Sequence, residues 1–169
     1  MLRILIISIF VLNILNAHPH TYIDIYPSIK IENQKITQIN FKWIMDEMTS
    51  SMLIMEFDKN LNQKIDKDEN EYIKNNYFLT LEEFDFYTHI KVKYKVDNFK
   101  AKIIDNKIVY NFSFLLNTPT NISNFSMKFY DTDFFVATQI KKEFITQTIP
   151  YTLADIDGDY YYGYNLTYK

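Results

Sequence analysis

The amino-acid sequence predicts an α+β fold, mainly β: an antiparallel, sandwich-like domain with one helix–loop–helix inserted after its first hairpin, at about residues 46–80. Three observations predict it. Several stretches alternate apolar and polar residues with the period of two that marks a half-buried strand. One stretch between them switches to helical spacing. That stretch is itself divided by a loop dense in oxygen-bearing side chains, residues 58–69.

Residues 1–17 stand apart from this pattern. Met1-Leu2-Arg3 carries a positive charge, Ile4 to Leu12 is apolar except for Ser8, and Asn13 to Ala17 closes on a small residue. That order is the n-region, h-region and cleavage site of a secretory signal peptide. The apolar run is short for a bilayer span. Leu15, three residues before the expected cut, is larger than the ideal residue there, so an uncleaved anchor is the alternative reading. Cleavage after Ala17 leaves a single mature domain, 18–169, in a periplasmic or otherwise extracytoplasmic location.

The strands follow in order. Ile23, Ile25, Pro27, Ile29 and Ile31 share one face of the first, and His20, Tyr22, Asp24 and Tyr26 share the other. Glu32-Asn33-Gln34 reads as a hairpin turn. Ile39, Phe41, Trp43 and Met45 line the second strand. Helical segments are expected at about 46–57 and 66–80. Alternation resumes from Phe84 to Val96. Strands 99–104 and 107–116 are joined by Asp105-Asn106, a two-residue turn. Further strands are expected at 125–130, 134–140 and 144–149, and the tyrosine-rich tail is read as room for a last one. Asp131 and Asp133 read as a turn between strands, as does the acidic run Asp155 to Asp159. With only two glycines, Asn and Asp must make most turns, which they can because they tolerate the left-handed region.

Composition narrows the function. The chain has no cysteine, so an exported product must hold together by packing, or by packing and a bound ion. A hydrophobic content of 47% is ample for a packed core. A net charge of −3 offers no footprint for nucleic acid. Neither a Gly-rich phosphate loop nor a nucleophile elbow occurs, and the chain is read as a binding protein and not an enzyme.

Two candidate metal sites emerge. Residues 58–69 match the calcium loop of an EF-hand. Such a loop wants side-chain oxygens at positions 1, 3, 5 and 9, a backbone carbonyl at 7 and a bidentate Glu at 12, because calcium takes six to eight hard oxygen ligands. Asp58, Asn60, Asn62, Asp66, Lys64 (by its carbonyl) and Glu69 meet every requirement. Ile65 adds the usual apolar residue. Position 6 departs: Gln63 stands where glycine makes the sharp turn, at a cost of about 1–2 kcal/mol for a left-handed conformation. With Lys59, Lys64 and Lys67 nearby, calcium affinity is expected to be weak, on the order of 10⁻⁴–10⁻³ M. A solvated polar loop that has lost its ion is the competing reading.

The second site is the expected mature terminus, His18-Pro19-His20. A free amine and imidazole on His18 can chelate a borderline metal such as copper, nickel or zinc. His20 lies two residues on, hence on the same strand face. Pro19 has no N–H to give up, which excludes the amino-terminal copper/nickel geometry that needs the second amide. His89, on the polar side of its expected strand, is a further candidate ligand. A frayed, solvated terminus is the competing reading here.

His18-Pro19-His20, the strand with Asp24, Trp43 with Asp46-Glu47, the 58–69 loop, Phe84-Asp85-Phe86-Tyr87-Thr88-His89, and Tyr130-Asp131 with Phe134-Phe135-Val136-Ala137 together resemble the bacterial periplasmic family known as domain of unknown function 1007. The resemblance runs from about residue 18 to about residue 140. It implies a periplasmic component of an uncharacterised ABC-type transport system, often accompanying a nickel/cobalt-type membrane permease. Its implied partners are metal ions and an inner-membrane permease. The sequence departs from the family at Gln63 and in its tyrosine-rich tail.

Overall fold

A computed structural model describes residues 20–158 and 161–169. Among the described residues the protein is mainly β, with two open sheets. The first has the strand order β4-β5-β2-β1-β7 and the second β3-β6-β9-β8. The strands are β1 (Thr21–Glu32), β2 (Lys35–Met45), β3 (Thr88–His89), β4 (Tyr94–Ile104), β5 (Lys107–Asn121), β6 (Ser126–Phe129), β7 (Val136–Gln139), β8 (Tyr151–Asp157) and β9 (Tyr162–Tyr168). Between β2 and β3 lie helix α1 (Glu47–Phe57) and helix α2 (Lys67–Ile73). The chain after α2 widens into a π turn (Lys74–Phe78) and then tightens into 3₁₀ geometry (Leu79–Tyr87).

The first hairpin forms as its alternation demands. β1 pairs with β2 antiparallel, with Ile25 opposite Trp43 and Pro27 opposite Phe41. Asn33 and Gln34 turn the corner in the left-handed region, at φ 50° and 63°. The β4–β5 turn does the same at Asp105 and Asn106, φ 51° and 58°. Paired positive φ values are what a two-residue hairpin turn requires. In the glycine-poor chain, Asn, Gln and Asp supply them.

Ile25, Ile39, Trp43, Phe114 and Phe129 are fully buried, and residues of both sheets contribute to one hydrophobic core, as a sandwich-like arrangement requires. Trp43 meets Phe112 edge-on at 4.9 Å, and Phe78 from the π turn packs on Phe112 at 4.8 Å. Aromatic pairs of this kind add about 0.5–1.5 kcal/mol beyond their area. The Phe78–Phe112 pair holds the helical insertion against the first sheet. Gly163 serves a close approach: a Cβ there would collide with the Phe129 carbonyl on β6.

Four expectations are corrected. β7 runs parallel to β1, Thr21 opposite Val136, so the first sheet is mixed and not purely antiparallel. The expected strand 84–96 is broken: Asp85, Phe86 and Tyr87 take φ values of 51°, 49° and 49°, and regular β structure resumes for only two residues before β4. Residues 144–149 form no strand. Phe144 ends a 3₁₀ turn and stacks on Tyr26 at 4.0 Å, while the Gln147 side chain bonds both backbone groups of Ile29. The amide of Gln147 thus takes the place a neighbouring strand would fill. The tail adds two strands, β8 and β9, and Asp155 to Asp157 finish β8, so the acidic run is not a turn throughout.

Candidate functional site: the loop between the two helices

The loop 58–69 is set by helices that are themselves fastened to the first sheet. Asp46 caps α1, accepting from Thr49 N–H at 3.0 Å and Thr49 hydroxyl at 2.7 Å. Its second oxygen also accepts from Tyr22 N–H at 2.8 Å, tying the helix start to β1. Burial pushes the Asp46 carboxyl up, but the bonds from Thr49, Tyr22 and Met48 outweigh it and hold its pKa below the ordinary value. Ser50 is buried and accepts from Ile108 N–H at 3.0 Å, linking α1 to β5. Asn70 on α2 accepts from Ala101 N–H at 2.7 Å, linking α2 to β4.

Within the loop, Asp58 is 3% exposed. Its two oxygens accept from Asn62 N–H at 3.0 Å and Gln63 N–H at 2.8 Å. The first residue therefore folds the loop over itself. Gln63 sits at φ 61°, the left-handed conformation expected of its position. Asn60 accepts from Asn62 N–H, and Asn62 from Lys64 N–H, continuing the curl. The Asn60 and Asn62 amides both donate to Asp66 Oδ2, at 2.8 and 2.9 Å. The amide nitrogens of Asn60 and Asn62 thus converge on the Asp66 carboxylate, while their oxygens face backbone N–H groups of the loop.

Glu69 closes the loop. One oxygen accepts from Asp66 N–H and the other from Lys59 N–H, each at 2.9 Å. With Asp66 it forms a capping box that starts α2. Six residues predicted from spacing alone, Asp58, Asn60, Asn62, Lys64, Asp66 and Glu69, are therefore gathered into one hydrogen-bonded turn. Their donor set is all oxygen, which suits a hard cation. Among the described residues, no three His, Cys, Asp or Glu side chains group as a ready metal cluster. Two of the loop's oxygen carriers are Asn60 and Asn62, outside those residue types.

The histidines separate. His18 lies outside the described residues. His20 is exposed, and its N–H donates to the Phe135 carbonyl at 3.0 Å, which holds the start of β1 beside β7. Its strand face continues through Tyr22 and Asp24, which line a cleft of about 420 Å³ together with Asp46, Glu47, Met48 and Lys107. His89 is elsewhere, on β3 in the second sheet. Its Nδ1 meets Asp85 Oδ2 and its Nε2 meets the Tyr130 carbonyl, both at 3.1 Å, and the ring stacks on Tyr130 at 3.9 Å. Both nitrogens are occupied by oxygen acceptors.

Asp131 is buried, and its carboxylate accepts from the N–H groups of Asp133, Phe135 and Val136. This is the expected turn, and it launches β7. Burial, with the negative charge of Asp131 and Asp133, pushes the Tyr87 hydroxyl up to about 12. The sequence reading missed the fastening roles of Ser50 and Asn70. Each sits in a run of polar residues within a helical segment, Thr49-Ser50-Ser51 and Asp68-Glu69-Asn70-Glu71, and no spacing rule singles it out.

The family described as "Protein of unknown function (DUF1007)" matches residues 3–151. The matched span ends at the first residue of β8, so the β8–β9 hairpin lies almost wholly beyond it. A protein of Haemophilus influenzae described as an uncharacterized protein is 29% identical over 143 residues, covering 79% of this chain and 68% of its own. With the family matched along most of its length, the chain belongs to the DUF1007 family of proteins of unknown function.

Proposed function

We propose that this protein is an exported metal-binding accessory whose EF-hand-like loop, 58–69, takes a calcium ion. One observation carries the reading. Asp58 accepts from the backbone of Asn62 and Gln63 while Gln63 adopts a left-handed φ of 61°, so the loop curls as a calcium loop must, even without its glycine. Asn60, Asn62 and Asp66 would supply side-chain oxygens, Lys64 its carbonyl and Glu69 a two-oxygen ligand. The ion would fix α1 and α2, and through Ser50 and Asn70 the first sheet. Calorimetric titration of the processed chain should show a single calcium site that also raises the melting temperature. No heat and no thermal shift at millimolar calcium would remove the reading.

A second site for nickel, copper or zinc at His18 and His20, serving a membrane permease, is the transport role we attach to this scaffold. It is supported by the position of His20 on the strand face that runs into the cleft of Tyr22, Asp24, Asp46 and Glu47. Metal analysis of protein taken from the periplasm, with the mass of its amino terminus, tests it. Binding of calcium alone would favour a structural module of the cell envelope.

A further inference from the structure

Helix α1 is inside out. Its buried residues are Thr49, Ser50 and Phe57, while Met48, Met52 and Met55 are 60%, 52% and 74% exposed. Methionine is ordinarily among the buried residues. Here three of the chain's six methionines stand on one surface of one helix. Their spacing, i, i+4 and i+7, places them in a single stripe, because residues three and four apart are neighbours on a helix. At a rise of about 1.5 Å per residue, adjacent sulfur-bearing residues of the stripe are about 4.5–6 Å apart along the axis. Flexible methionine side chains can close such a gap around one ion.

The stripe is selective for sulfur, not for apolar bulk. The branched aliphatics of the same helix, Leu53 and Ile54, pack toward the core, and its exposed apolar residues are all thioethers. The other exposed positions of α1 are Glu47 and Ser51. The chain has no cysteine, so thioethers are its sole sulfur ligands. Thioether sulfur is a soft donor and prefers copper(I) over the harder divalent ions.

We propose that Met48, Met52 and Met55 form a thioether site for a soft monovalent cation of the copper(I) and silver(I) class. The site is separate from the calcium loop, which is all oxygen, while Met48 borders the cleft of Tyr22 and Asp24 toward which the His20 strand face runs. The cation binds through sulfur lone pairs, with no change of oxidation state. Met45 and Met127, 4% and 0% exposed, stay outside it.

The test is a titration of the full exported chain with silver(I) in chloride-free nitrate buffer, followed through the methionine methyl groups by NMR. One equivalent should shift the signals of Met48, Met52 and Met55 and leave those of Met45 and Met127 in place. Replacing all three by leucine keeps the apolar surface and the helix propensity, and circular dichroism confirms the fold. That variant should bind silver at least about tenfold more weakly, equivalent to about 1.4 kcal/mol. Calcium binding should be unchanged, which separates this site from the loop. Equal silver binding by the leucine variant would overturn the proposal. So would metal-free self-association that the leucine variant retains, with no methyl shifts on silver: the stripe would then be a contact between copies of the chain.

Discussion

Gln63 donates its backbone N–H to Asp58 Oδ2 at 2.8 Å while holding a φ of 61°. The bond and the strain belong together. The loop must turn sharply at its sixth residue to bring the peptide groups of Asn62 and Gln63 onto Asp58, and a side chain makes that turn costly. Left-handed geometry costs a non-glycine residue about 1–2 kcal/mol, and glycine returns about 0.5–1 kcal/mol of that as lost chain entropy. Gln63→Gly should therefore stabilise the metal-free protein by up to about 1 kcal/mol, as the difference of those two effects. It should also tighten calcium binding. Thermal melts with and without calcium measure both.

Asp58 has the opposite sensitivity. It is buried, and both of its oxygens are occupied by backbone donors. Asp58→Ala leaves the Gln63 N–H without a partner, at about 1–3 kcal/mol if it stays dry, while Asn62 N–H keeps its bond to Asn60 Oδ1. Because the loop is largely exposed, water should recover part of this, and we expect a loss of about 2 kcal/mol. Calcium binding should disappear altogether. Denaturant unfolding and calorimetry on the same sample give the two numbers.

Asp46 makes a prediction in pH. Its folded pKa lies below the ordinary carboxylate value, because donors from Thr49, Tyr22 and Met48 outweigh the effect of burial. A lowered folded pKa contributes stability above the unfolded value of about 3.9 and loses it as pH falls through the folded value. Melting temperature should drop with acid over that window. Asp46→Asn keeps a capping oxygen but no charge, and should flatten this part of the acid limb. Asp46→Ala should cost about 1 kcal/mol at neutral pH through the lost cap.

Local rules carried the sequence reading as far as they reach. The β1 alternation, the Asn33-Gln34 and Asp105-Asn106 turns and the starts of both helices follow from contacts a few residues apart, while the second helix, expected over 66–80, is α-helical only to Ile73. The failures are non-local. The parallel pairing of Thr21 with Val136 spans most of the chain, and nothing near either residue announces it. Residues 84–96 alternate as a strand would, yet Asp85 bonds His89 and the intervening backbone goes left-handed as Phe86 enters the core. Residues 144–149 carry strand-forming side chains, but Gln147 meets Ile29 through its side-chain amide. The outward methionines of α1 were likewise hidden, since helical spacing of apolar residues ordinarily reads as a buried face.

His89 gives a last test, because its ligand role and its structural role predict different results. Both ring nitrogens face oxygen acceptors, Asp85 and the Tyr130 carbonyl, and the ring lies flat on Tyr130. A metal would have to displace one of these bonds and the stack beside it. His89→Ala should cost about 1–3 kcal/mol of stability, the range for unpairing hydrogen-bonded groups. It should leave nickel or copper binding at the amino terminus unchanged. His89→Phe keeps a ring for Tyr130 but neither hydrogen bond, and should fall between the wild type and His89→Ala in a denaturant series. If instead both variants stay stable and nickel affinity collapses, His89 belongs with His18 and His20 after all, and Asp85 and Tyr130 must release it when the ion arrives.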